Sequence, residues 1–175
     1  IMGMQLPGSS FVNPGTLHRR LLNEKAVEIA NKNATKGLEF SISKIITEKS
    51  IVNGIIGLLA TGGSTNHTIH LIAIARAAGI IINWEDMSKL SEVIPLITRM
   101  YPNGAADVNH FHAAGGMPFV INSLLSNGLL HEDVTTILGH GLNHYTQETK
   151  IINNTLEFTE GSKISLNENV IRPAT

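Results

Sequence analysis

The chain has 175 residues, the size of one domain, with 42% hydrophobic and 15% charged residues. Thirteen basic and fourteen acidic side chains leave a net charge of −1, so no basic excess marks it for nucleic acid or an anionic membrane. It has no cysteine, which excludes disulfides, thiolate metal sites and a cysteine-ligated cluster held by its own residues.

No uninterrupted apolar run reaches the roughly 18 residues of a membrane span. Residues 1–10 lack the charged start and apolar core of a signal peptide. Residues 1–15, with Pro7, Gly8, Pro14 and Gly15, read as a loop from within a larger protein. Thr16 is a fitting N-cap for a helix over 17–32, where Leu17, Leu21, Leu22, Ala26, Val27, Ile29 and Ala30 recur at helical spacing. Phe40, Ile42, Ile45 and Ile46 form a short run of either type. Thr47 then caps an apolar helix over 51–60, with Glu48 favouring the positive end of its dipole. Gly54 and Gly57 on it suit close helix packing.

The stretch LLATGGSTNHTIHLIAIARAAGI at 58–80 is the centre of the chain. Ser64, Thr65 and Asn66 each can cap a helix. The residues after them are apolar on nearly every side until Gly79, which predicts a buried helix. Its start behind Gly62 and Gly63 presents free N–H groups at a positive dipole end, suited to a phosphate or carboxylate. The same residues equally describe a capped helix start and nothing more. The turn has neither the lysine of a P-loop nor the glycine spacing of a dinucleotide turn.

Beyond it, Ile80, Ile81 and Ile82 read as a short strand, and Asn83 or Asp86 starts a helix through Leu90. Residues 93–100, with Pro95 inside, are a strand edge or a helix that begins at the proline. Tyr101-Pro102-Asn103-Gly104 is a turn. Asp107 caps a segment over 108–114, Pro118 opens a helix to Ser126, and Asn127-Gly128 stops it. His131-Glu132-Asp133 opens one more short helix through Leu138. From Gly139 the composition turns polar, and 139–175 reads as a linker or extended tail.

Two further constellations could carry chemistry. Asp107, Asn109 and His110 stand beside Gly115-Gly116, either as a substrate wall or as a capped helix with a glycine stop. His67, His70, His110 and His112 contain ligands suited to zinc, but at no standard spacing; the bland alternative is a set of hydrogen-bonded histidines near a polar pocket.

GGSTNHTIHLIAIARAAGI at 62–80 resembles the GGSTN segment of the dihydroxy-acid and sugar-acid dehydratases. LPGSSFVNP at 6–14, LSEVIPLITRMYPNGAADVNHFHAAGGMP at 90–118, GLLHEDV at 128–134 and SLNENVIRP at 165–173 resemble the branch that acts on 6-phosphogluconate. The resemblance implies a cytoplasmic, homodimeric hydro-lyase of the Entner–Doudoroff pathway. It would convert 6-phospho-D-gluconate, a phosphorylated sugar acid, to 2-dehydro-3-deoxy-6-phosphogluconate. It implies an iron–sulfur cluster, of the 4Fe-4S type, ligated outside this chain, and a divalent metal as in related enzymes. The implied fold is α/β, a three-layer α/β/α N-terminal dehydratase domain whose portion here is predominantly helical. Residues 1–138 would be the back half of that domain, and 139–175 the link toward a C-terminal β-rich domain.

On this resemblance, Gly62 shapes the turn and Gly63, Ser64, Thr65 and Asn66 contact substrate, with Asp107, Asn109 and His110 as further contacts. No catalytic residue and no metal ligand is expected within the chain, which alone is expected to be inactive. Two readings from other classes stand beside it: a noncatalytic packing or dimerisation unit with Arg76 at the surface, and a histidine-based metal module.

Overall fold

In the computed structural model, which describes residues 1–175, side-chain caps set where most helices begin. Helix α1 (Leu17–Ala34) starts after Thr16, whose hydroxyl accepts the Arg19 N–H. One turn, α2 (Ile42–Ile45), resolves the run after Phe40. Helix α3 (Glu48–Thr61) starts at a reciprocal box in which Thr47 and Ser50 cap each other's backbone. Helix α4 (Thr65–Ala77) starts after Ser64, and α5 (Trp84–Val93) after Asn83, which exchanges bonds with Asp86. Asp107 caps α6 (Val108–Ala113). Pro118 lies in the first turn of α7 (Gly116–Ser126), where no intrahelical N–H bond is lost.

The core forms around α3 and α7. Ile56 and Ala60 of α3 share one buried cluster with Phe119, Val120, Ile121 and Leu124 of α7 and with Ile97 and Phe111. A smaller cluster, Ile51, Ile55, Leu71 and Ala75, joins α3 to α4. Gly54 permits that approach, because a Cβ there would lie 2.9 Å from Leu71 Cδ1. Asn53, fully buried on α3, donates to His131 O (2.8 Å) and accepts the His131 N–H (2.9 Å).

The chain is mixed α/β and predominantly helical, as the sequence implies. Its strands form two separate antiparallel pairs. Strand β1 (Thr135–Thr136) pairs with β2 (Gly139–His140), and β3 (Gln147–Ile152) with β4 (Thr155–Glu160). The β3–β4 turn is Asn153-Asn154, both at positive φ, as a tight two-residue hairpin turn requires.

Four expectations are corrected. Helix α4 is not buried all round: only Leu71 and Ala75 are buried, while Ile69 is 57% and Ile72 37% exposed. Composition gives the apolar fraction of a helix but not how many of its faces find a neighbour. Residues 80–82 are not a strand, because no strand lies alongside them and the Ile80 N–H instead closes α4 on Ala75 O (2.8 Å). Residues 131–138 are not a helix: Asn53 holds the His131 backbone, and the Ile137 N–H reaches Gly3 O (2.9 Å). Of the two readings of 93–100, the extended one holds past the end of α5: residues 94–100 are extended, with isolated bridges pairing Thr98 with Ile171 and Met100 with Ala106.

The last correction concerns the polar tail. Residues 139–175 contain a 3-10 helix (Leu142–Thr146) and the β3–β4 hairpin, and they place Leu142, Tyr145, Val170 and Ile171 in the principal core. A linker residue would tolerate truncation within about 0.5 kcal/mol. Ile171 is fully buried, so Ile171→Ala should lower unfolding free energy in urea by about 2–5 kcal/mol.

Candidate functional site

The site begins where α3 ends. Gly62 takes the left-handed conformation (φ 62°), and its N–H donates to Leu59 O (3.2 Å); the Gly63 N–H donates to Leu58 O (2.8 Å). Both glycine donors are therefore engaged in closing α3. The donors left free are the next three: the N–H groups of Ser64, Thr65 and Asn66 have no partner within the chain, and the His67 N–H is taken by Ser64 Oγ (3.3 Å). They open at the positive end of a 13-residue helix. Gly63 packs closely: a Cβ would lie 2.6 Å from Leu58 Cδ1 and 2.7 Å from His67 Nδ1, so those two side chains would have to shift.

Residues 97–107 form the facing wall. The N–H groups of Ile97 and Thr98 donate to Ala60 O (2.9 and 3.3 Å), Thr98 Oγ1 donates to Thr61 O (3.0 Å), and Asn103 Nδ2 donates to Gly62 O (3.3 Å). The Tyr101 N–H closes the turn on Ala106 O (2.8 Å), and the Tyr101–Pro102 peptide is cis. Asp107 follows. Its Oδ1 accepts the Asn109 and His110 N–H groups, both at 2.9 Å, and its own N–H donates to His110 Nδ1 (3.3 Å). The His110 N–H is the chief cause that holds the Asp107 carboxyl below the usual carboxylate range.

The two walls enclose an open depression of about 800 Å³, lined by residues 61–65 on one side and 100–103 and 106–108 on the other. Gly62, Gly63, Ser64, Thr65 and Asp107 thus come together from distant parts of the sequence. Asn66 and Asn109 are exposed outside the lining, and the His110 ring is turned back onto Asp107 (2.9 Å). Asn103 was visible in the sequence only as part of a turn. That the turn directly precedes the Asp107 cap is the one signal that could have marked it.

The histidines do not assemble as a metal module. His67 and His112 line a separate cavity of about 380 Å³, His110 is tied to Asp107, and no three histidine, aspartate or glutamate side chains converge. Burial, and secondarily His70, push the His67 imidazole below its ordinary pKa. His112 lies against the Phe11 ring, centroids 6.2 Å apart.

Residues 1–145 match the N-terminal domain of the dihydroxy-acid/6-phosphogluconate dehydratases, and the chain belongs to that family. Within it, the chain is 56% identical over 171 residues to a phosphogluconate dehydratase of Escherichia coli (strain K12), covering 97% of this chain and 28% of that protein. It is 52% identical over 174 residues to one of Pseudomonas aeruginosa, covering 99% and 29%. A dihydroxy-acid dehydratase of Prochlorococcus marinus is 33% identical over 172 residues, covering 98% and 28%. The chain thus spans under a third of the length of these relatives.

Because the fold lowers the Asp107 pKa, its cap stabilises α6 above the ordinary carboxylate range and is lost as pH falls through the lowered value. A carbon-detected NMR titration should place the Asp107 midpoint below the unperturbed value of about 3.9. Asp107→Asn keeps the cap oxygen without the charge, so the acid-side fall in stability should be shallower in that variant.

Proposed function

We propose that the chain is part of a hydro-lyase that converts 6-phospho-D-gluconate to 2-dehydro-3-deoxy-6-phosphogluconate in the Entner–Doudoroff pathway. The depression between α4 and residues 100–108 is a wall of its substrate site. The observation that carries this is the set of three adjacent unpartnered N–H groups, of Ser64, Thr65 and Asn66, at the start of α4 beside that depression. They suit an anionic group of the substrate. Asp107 has a different role. Its Oδ2 has no partner in the chain, and as an ionised acceptor it suits a substrate hydroxyl rather than an anion. Gly62 and Gly63 shape the turn; Asn109 and His110 contribute by fixing Asp107.

The iron–sulfur cluster implied by the family resemblance does not fit the residues present. The chain has no cysteine, so a thiolate-held cluster would take its ligands from elsewhere in the protein. The base that removes the substrate proton is likewise assigned outside these residues. In the whole protein, residues 139–175 lead toward a further β-rich domain. The same reading makes the protein a cytoplasmic homodimer, and exposed Ile69, Ile72 and Trp84 support an apolar contact surface on α4 and α5. No helix is long and apolar enough to cross a membrane.

Thr65→Glu separates binding from folding by sign. At the first position of α4 a carboxylate favours the helix dipole, so the melting temperature should hold or rise. The same charge opposes a bound anion, so in the full-length enzyme KM and Kd for 6-phosphogluconate should rise by about tenfold or more. Unchanged affinity would show that the start of α4 does not meet the substrate's charge.

A further inference from the structure

Gly62 and Gly63 satisfy the Leu59 and Leu58 carbonyls of α3, and the next three carbonyls, of Ala60, Thr61 and Gly62, are satisfied by one later segment. Ala60 and Thr61 are served from the interior: Ala60 and Thr98 are fully buried and Ile97 nearly so. The Gly62 carbonyl is served at the rim of the depression, by the side-chain amide of Asn103 alone. This carbonyl belongs to the peptide that leads from the left-handed Gly62 into Gly63 and the start of α4. The N–H of the same peptide, on Gly63, donates to Leu58 O (2.8 Å), so this peptide is held from both sides and is the last fixed link before the Ser64, Thr65 and Asn66 N–H groups.

The contact is steric as well as polar. A Cβ on Gly62 would overlap the Asn103 amide, so the two turns touch with no room between them. Asn103 in turn sits on a stiff support. The Tyr101 N–H is bonded to Ala106 O, and Gly104 packs so tightly on the Arg99 carbonyl that a Cβ there would overlap it. Behind this, the Arg99 N–H is bonded to Val170 O and the Arg172 N–H to Ile97 O, each at 2.8 Å. The amide is thus carried by a braced loop onto the Gly62 carbonyl of the α3–α4 turn.

We propose that Asn103 is a positioning residue for substrate binding: through the Gly62 carbonyl it aims the three free N–H groups of α4 at the anionic group of the substrate. This rests on the reading of the depression as the substrate site. An exposed bond of 3.3 Å contributes little to global stability, so its removal acts locally.

The test uses the full-length, cofactor-loaded enzyme with 6-phosphogluconate as the ligand. Asn103→Ala should raise KM and the calorimetric Kd by about three- to tenfold with kcat within about twofold. Amide exchange at Gly63 and His67, whose N–H groups are bonded within the turn, should quicken while the melting temperature stays close to that of the parent. Asn103→Asp, equal in size but presenting an acceptor to the Gly62 carbonyl, should weaken binding further than alanine does. If Thr65→Glu weakens binding and Asn103→Ala changes neither affinity nor exchange, the positioning role is overturned and the anion site stands. If Thr65→Glu has no effect, the reading of the site fails, and the positioning role falls with it. A large drop in melting temperature with exchange raised throughout the chain would make Asn103 a general structural residue and overturn the proposal.

Discussion

A helix that ends inside a protein must find partners for its last carbonyls, and in this molecule that need organises everything around α3. The left-handed turn at Gly62 satisfies Leu58 and Leu59 and then directs the chain away, and residues 97–103 come back to meet the carbonyls of Ala60, Thr61 and Gly62. Meeting those carbonyls places the 101–104 turn against the 62–65 turn. It also leaves the N–H groups of Ser64, Thr65 and Asn66 on the open side. The depression arises from how a buried helix is terminated.

The same arrangement explains why chemically different groups share one wall. The α4 start offers donors and a positive dipole end, whereas Asp107 offers an acceptor held in its charged form by backbone N–H groups. An acyclic polyol that carries an anionic group presents both kinds of partner. On the proposed function, the spacing of the two elements across the depression would supply a discrimination that neither offers alone.

Local signals made much of this legible in the sequence. Thr16, Thr47, Asn83 and Asp107 each announce a helix start within three residues, and all four cap as expected. What the sequence hid depends on distant partners. An isoleucine run such as 80–82 becomes a strand only beside another strand, and none is there. Residues 131–138 lose their helix to Asn53 and Gly3, which lie far back in the chain. The polar composition after Gly139 masked the few side chains, Leu142, Tyr145, Val170 and Ile171, that decide where that segment goes. Asn103 looked like an ordinary turn residue because its partner, the Gly62 carbonyl, lies 41 residues earlier.

The bracing of residues 97–99 also orders events in time. On one side they bond to the end of α3, but on the other they wait for Val170, Ile171 and Arg172. During synthesis from the N-terminus, the glycine turn and α4 emerge long before those residues exist. The facing wall then has only half of its anchors, and pairing across such a separation closes late. The facing wall therefore gains its second set of anchors only once residues 170–172 have been made, even though the most recognisable residues of the depression are made early.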